Sequence, residues 1–380
     1  MAASPRPEEI WHAVAMSVPL TSTPAADGFA MPAEWETHDG CFLIWPERTD
    51  NWRAGAKPAQ RAWRTLIETI ATAEPVTVLV SAGQYAIVRS LLPAHVRLVE
   101  TTADDAWVRD TGPSFVRNAA GEVRGVSWHF NAWGGLLGGL YSPWQNDDLI
   151  GPKICDLERA PRYQPDLILE GGSIDIDGQG TVLTTEECLL NPNRNPHLSR
   201  DQIEQLLHAN LGTTKVIWLP RGVYKDETDG HIDNFARFAA PGVVMLTWTD
   251  DTSDPQYERS SAAFDILSTT TDAAGRTLEI VKILQPGPLL MTQEEADGVD
   301  VIPGSQPRIG GERLAGSYVN SYIGNGIVVL PVFDDPNDAA AIATYEKLFP
   351  DRTILTVPGR EILLGGGNVH CVTQQVPARG

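Results

Sequence analysis

The chain has 380 residues, is 42% hydrophobic and 21% charged, and carries 49 acidic against 29 basic residues, a formal net charge of −20. That balance disfavours nucleic acid and anionic membrane surfaces as partners and gives cationic small molecules a favourable field. A chain this long buries a core that needs no disulfide staples, and its 4 cysteines (Cys41, Cys155, Cys188, Cys371) form no CxxC pair and show no zinc-ligand spacing, so a reduced, cytoplasmic protein is expected.

From the N-terminus, residues 1–28 read as an extension with a short apolar patch at Ala13–Val18, which lacks the basic flank and long apolar run of a signal peptide. A single domain is expected over 29–380, opening near Met31-Pro32-Ala33-Glu34-Trp35. No apolar stretch is long enough to span a membrane as a helix. Pro58–Thr72 places Trp63, Leu66, Ile67 and Ile70 at helical spacing. β-Branched strands bounded by Gly, Pro or Asp follow at 76–80, 96–99, 181–184, 216–219, 243–246, 327–330 and 354–357. Between them, Ser199–Leu207 reads as a helix with a serine cap, and Asp335–Leu348 as one with Pro336 near its first turn. Alternating strands and helices mean an α/β or α+β domain.

A weak internal repeat runs through this alternation. After a strand the chain makes a polar or glycine-rich turn: Arg109–Pro113, Glu170–Asp175, Asp229–Asn234, Gly316–Ser321 and Gly365–Cys371. Five similar modules around an axis would each offer a turn to one central site.

The last of these turns is the most informative. Gly365-Gly366-Gly367 gives up side-chain packing and backbone entropy to deliver Cys371, which marks the thiol as a candidate nucleophile. Cys41, Cys155 and Cys188 are read as small buried hydrophobes. His231 and Asp233 are two apart, so an extended segment would turn both to one pocket and Ile232 to the core. Asp110 and Glu170 each close an apolar run, where a strand end hands a residue to a site, although either alone also suits a turn carboxylate. One thiol, one imidazole and three carboxylates suit attack on a cationic carbon. Carboxylates pair bidentately with a planar guanidinium and hold its carbon against the thiolate. The imidazole can protonate departing ammonia and then activate water. A metal-dependent hydrolase built on His231, Asp233, Glu170 and His370 is the contrasting reading, and no HExxH-like or His-x-His cluster supports it.

Long segments carry a family resemblance. They are Met31–Glu36 with Trp45-Pro46, Trp107–Pro113, Glu170–Gly172, Thr184–Pro196, Gly230–Asn234, Ser317–Asn320 and Glu361–Cys371. Over about Met31 to Pro377 the chain resembles the agmatine deiminases, of the family that includes bacterial peptidylarginine deiminase. The resemblance implies a five-bladed, pseudo-symmetric α/β propeller (the pentein fold) with a central active site. It also implies hydrolysis of agmatine to N-carbamoylputrescine and ammonia, a step toward putrescine, with no metal or organic cofactor. By motif, Cys371 is then the nucleophile and His231 the general acid and base. Asp110 and Asp233 bind the guanidinium, and Glu170 supports His231. Trp107, Gly366 and Glu227 are implied to line the substrate, with the acids of Lys225–Asp229 near its amine. Free arginine, peptidyl-arginine or methylarginine as substrate, or transfer of the amidino group to an amine, are the alternatives. Arginine would need a basic residue for its α-carboxylate, and Arg109 is the nearest in the motifs. A homo-oligomer is compatible with all of this.

Overall fold

A computed structural model describes residues 17–380, so the 1–16 part of the expected N-terminal extension lies outside the described residues. The part from Ser17 on is tied to the domain. Ser17 Oγ donates to Asp156 at 2.6 Å, the Leu20 N–H donates to the Arg162 carbonyl at 2.8 Å, and Phe29–Ala30 pairs antiparallel with Ser114–Asn118.

The described strands form five separate mixed sheets with one connectivity. In chain order their antiparallel pairs are Ser114–Asn118 with Val123–Val126, Asp175–Ile176 with Thr181–Thr185, Ala236–Ala240 with Val243–Trp248, and Tyr322–Gly324 with Ile327–Val332. The second strand of each pair then takes a parallel partner: Arg162–Tyr163, Lys215–Leu219, Glu279–Leu284 and Thr353–Pro358 respectively. Each parallel step is reached through helices, as a parallel pairing requires. The fifth sheet joins the chain ends. Gln374–Pro377 pairs antiparallel with His38–Ile44, which runs parallel to Val76–Val80, and that strand to Arg97–Glu100.

The expected strands all form, within a residue or two of their predicted ends. The helix Lys57–Ile70 has Pro58 in its first turn and buries Trp63, Leu66, Ile67 and Ile70 against Leu43, Val78 and Leu79 of the fifth sheet. Arg200–Leu211 is capped by Ser199 and Gln202 in a reciprocal box and ends at Gly212 in the left-handed region (φ 67°). The third expected helix is shorter than predicted, Asp338–Leu348, and leaves Pro336 in the preceding turn. Pro255–Thr269 is a helix the apolar pattern hides. Its buried face carries Gln256 and Ser260, which hydrogen-bond each other at 3.0 Å, alongside Ala263 and Leu267. No helix of the described residues is long and apolar enough to cross a membrane.

Candidate active site

Each of the five polar turns leads into the first strand of an antiparallel pair, and their side chains meet. The Gly172 N–H of the second turn donates to Asp110 Oδ1 of the first at 2.9 Å. His231 of the third places Nδ1 3.8 Å from Asp110 Oδ1 and Nε2 3.7 Å from Glu170 Oε2. Asn320 of the fourth donates to Cys371 Sγ of the fifth at 3.2 Å, and Asp233 Oδ2 lies 3.6 Å from the same sulfur.

The local conformations differ from the expected strand ends. Asp110 sits in a one-turn helix, Val108–Thr111, and Glu170 precedes the 3₁₀ turn Gly171–Ser173. His231 precedes a second 3₁₀ turn, Ile232–Asn234, so it and Asp233 reach one cavity through a tight turn rather than through strand alternation. Ile232 is buried, as expected.

These groups open on a cavity enclosing about 610 Å³, mouth included. Cys371, His231, Asp110, Asp233, Trp107, Gly366 and Glu227 all line it, while Glu170 stands behind His231. The glycine run has a steric reason at every position. A Cβ on Gly365 would lie 2.2 Å from the Trp52 ring, one on Gly366 (φ +113°) 2.7 Å from Glu227 Oε2, and one on Gly367 2.6 Å from Trp107 and 3.0 Å from Cys371 Sγ. A Cβ on Gly172 would fall 2.6 Å from His231 Nδ1, 2.8 Å from Asp110 Oδ1 and 3.0 Å from Asp233 Oδ2. That point marks a small space ringed by acids and an imidazole, which only a glycine leaves open.

Among the described residues both ring nitrogens of His231, and Asp233 Oδ1, are buried without a hydrogen-bond partner. Unpartnered buried polar atoms are costly unless a ligand supplies the partner. Burial, with Asp233 and Asp110 adding to it, pushes the Cys371 thiol well above its ordinary pKa. Burial also pushes Asp110 up to about 6, against the pull of His231 and with help from Asp233 and Glu170. Burial works against charge on His231, yet Asp110, Cys188 and Glu170 hold its imidazolium well above the usual range. For Glu170 burial is again opposed, and Arg194 and His231 hold it down to about 2. These shifts favour a neutral thiol and a charged imidazolium on the wall of one cavity. A cation entering the ring of acids would favour the thiolate.

The depressed Glu170 carries a stability prediction. Its folded pKa lies below its ordinary value of 4.5, so its stabilising contribution is complete above about pH 4.5 and is lost as pH falls towards about 2. Urea titrations of wild type and Glu170→Gln are expected to show a stability gap that widens from about pH 3 to about pH 5 and is flat above. A gap independent of pH would mean that Glu170 is not held ionised.

A model of the Porphyromonas-type peptidyl-arginine deiminase family matches residues 30–377. The chain belongs to that family. The chain is 58% identical over 360 residues to the agmatine deiminase of Pseudomonas aeruginosa (strain LESB58), covering 94% of this chain and 98% of that one. A Pseudomonas fluorescens (strain SBW25) agmatine deiminase is 58% identical over 361 residues, covering 94% and 98%. Among solved structures, the agmatine deiminase of Enterococcus faecalis superposes with a TM-score of 0.94 at 45% identity, covering 96% of this chain and 100% of that chain.

In this deiminase-family chain several site residues escaped the sequence reading. Asn320 belongs to the fourth repeated turn, and the likeness of that turn to the ones carrying Glu170, His231 and Cys371 is its signal in the sequence. Trp133 donates to Asp110 Oδ2 at 2.9 Å. Glu34, from the motif at 31–36, accepts from His370 at 2.9 Å, and His370 in turn contacts Asp233 at 2.7 Å. Cys188 packs in an apolar core as expected, but its thiol also lies 4.0 Å from Glu170 Oε2. Glu170, Cys188 and His231 thus approach one another at metal-ligand spacing. Arg194 already supplies the positive partner there, with Nε 2.6 Å from Glu170 Oε1. Of the acids at 226–229, Asp226 and Glu227 line the cavity, whereas Asp229 is turned away to Arg194 at 2.8 Å. Arg109 points away from the cavity, to Glu34 and Gln375.

Proposed function

We propose that the protein is an agmatine deiminase, hydrolysing agmatine to N-carbamoylputrescine and ammonia through a covalent amidino-thioether on Cys371. The five sheets are the blades of a pseudo-symmetric propeller, with the five turns at its centre. The observation that carries the reading is the meeting of Cys371, His231, Asp110 and Asp233 around one small acid-lined space. Asp110 and Asp233 hold the guanidinium nitrogens, and their charges select the cation. Binding of the cation lowers the thiol pKa, the thiol gives its proton to water, and the thiolate adds to the central carbon. His231 protonates one nitrogen of the tetrahedral adduct, the C–N bond breaks and ammonia leaves. A water that gives its proton to His231 then attacks the amidino carbon. The C–S bond breaks as the new hydroxyl gives its proton to water, releasing the ureido product and the thiolate. Glu170, paired to Arg194, keeps His231 in the charged state that the first half needs. The same residues suit a cytoplasmic enzyme, since the thiol must stay reduced.

Arginine is a poorer fit. Arg109 is committed elsewhere, and the two arginines that line the cavity among the described residues are engaged, Arg48 with Asp50 at 2.7 Å and Arg308 with Glu227. An α-carboxylate would enter among acids, with no free cation among the described residues lining the cavity. Ammonia release from agmatine, arginine, a blocked arginine peptide and methylarginine tests this. The kcat/KM for agmatine is expected to exceed that for arginine by at least about a hundredfold, roughly 1.4 kcal/mol per tenfold. Equal values, or a preference for arginine, would overturn the substrate and leave the chemistry standing.

A further inference from the structure

Of the two arginines that line the cavity among the described residues, Arg308 reaches a carboxylate that the resemblance assigns to the substrate. Arg308 lies in the irregular segment between the helix Gln293–Asp297 and the strand Tyr322–Gly324. That segment is pinned at intervals: the Asp300 N–H donates to the Thr49 carbonyl at 2.9 Å and the Gln306 N–H to the Leu140 carbonyl at 2.9 Å. Arg308 itself reaches into the cavity. Nη1 donates to Glu227 Oε1, and Nη2 donates to Asn51 Oδ1 at 2.6 Å and to the Gly365 carbonyl at 2.7 Å. The other oxygen of Glu227 lies over Gly366, one residue before the glycine that Cys371 Sγ closely approaches. Glu227 therefore stands beside the nucleophile's turn, with one oxygen already taken by a cation of the protein.

We infer that Arg308 is a specificity-determining residue, a resident guanidinium that occupies Glu227 until the distal ammonium of a dicationic substrate displaces it. The inference rests on the agmatine reading above. A carboxylate facing a cavity with no cation near would attract any positively charged tail strongly. Paired with Arg308, it offers an ammonium only the difference between two partners. The exchange is feasible because the pair is not sealed from water: the Glu227 side chain is 32% exposed and that of Arg308 11%. Such pairs are weak compared with buried ones. Asn51 Oδ1 and the Gly365 carbonyl give the displaced guanidinium acceptors to keep. A guanidine with a neutral tail has nothing to exchange and meets Arg308 in place. Arg308 thus lowers the advantage of agmatine over such a compound, and Glu227 is the group through which it does so.

A double-mutant cycle reads this directly, using the ratio of kcat/KM for agmatine to that for butylguanidine. Arg308→Gln is expected to raise the ratio at least about fivefold, because Glu227 becomes a free carboxylate. Arg308→Lys, which keeps the charge, is expected to stay near the wild-type ratio. In a Glu227→Gln background the Arg308→Gln change is expected to move the ratio less than about twofold. An unchanged or lower ratio in Arg308→Gln, or an equal rise with Glu227 already neutral, would overturn the inference. A merely structural role would lower both substrates together and leave the ratio in place. If the glutamine variant does not fold, Arg308→Ala is carried through the same cycle. Wild-type protein that turns over butylguanidine but not agmatine would remove the substrate reading, and the inference with it. Wild-type discrimination with no coupling between positions 308 and 227 would remove the inference alone.

Discussion

Replacing Cys371 by serine is expected to lower kcat for agmatine by on the order of 10³-fold or more while leaving the fold intact. The reason lies in what surrounds the sulfur. Asp233 Oδ2 is 3.6 Å away and Asn320 donates at 3.2 Å, and no neutral base stands ready to take a proton from a hydroxyl. A thiol meets this problem through the substrate's own charge, because a cation among the acids brings its pKa down. A serine hydroxyl starts several units higher and stays protonated. Peptide mass spectrometry on wild-type enzyme quenched during turnover should place an adduct on the peptide carrying Cys371. Full activity in the serine variant, or an adduct on Cys41, Cys155 or Cys188, would displace the proposed nucleophile.

The second large effect is on stability. Arg194→Met is expected to cost about 3–5 kcal/mol in urea unfolding, the usual result of leaving a buried charge without its partner. The Arg194 side chain is fully buried. Nε donates to Glu170 Oε1 at 2.6 Å, Nη1 to the Trp133 carbonyl at 2.7 Å and to Asp229 Oδ2 at 2.8 Å, and Nη2 to the Thr228 carbonyl at 3.0 Å. Without it Glu170 keeps His231 as its positive neighbour among the described residues, and three segments of the chain lose a common donor. The double variant Glu170→Gln/Arg194→Met should recover part of the loss, since the stranded carboxylate is gone. A cost below about 1 kcal/mol for the single variant would mean that the pair is replaced by solvent rather than left unmet. Activity should fall as well, because Glu170 loses the contact that fixes its carboxylate behind His231.

Legibility in the sequence followed the physics of each feature. Strands such as Val76–Val80 and Val243–Trp248 were readable because they are buried on both faces and so are continuously apolar. The helix Lys57–Ile70 was readable because one face meets the core. Pro255–Thr269 was not, because Gln256 and Ser260 satisfy each other inside and erase the apolar period. Cys371 announced itself through three glycines, and the structure gives each a neighbour too close for a side chain. The positions of His231 and Asp233 followed from their motif, but the route did not. A 3₁₀ turn brings them to the cavity where strand alternation was expected, since i and i+2 spacing does not distinguish the two.

The sequence by itself determined the α/β alternation, the five repeated turns, the acidic balance and the set of chemically able residues, because each of these is local or compositional. Only the tertiary structure decided which polar groups meet. It brings Asn320 to the sulfur, places Arg194 behind Glu170, turns Arg109 and Asp229 away from the cavity, and sets Arg308 on Glu227 across 81 residues of chain. Contacts between such distant segments leave no periodic trace in the sequence. They arise from the way separate sheets bring their turns together.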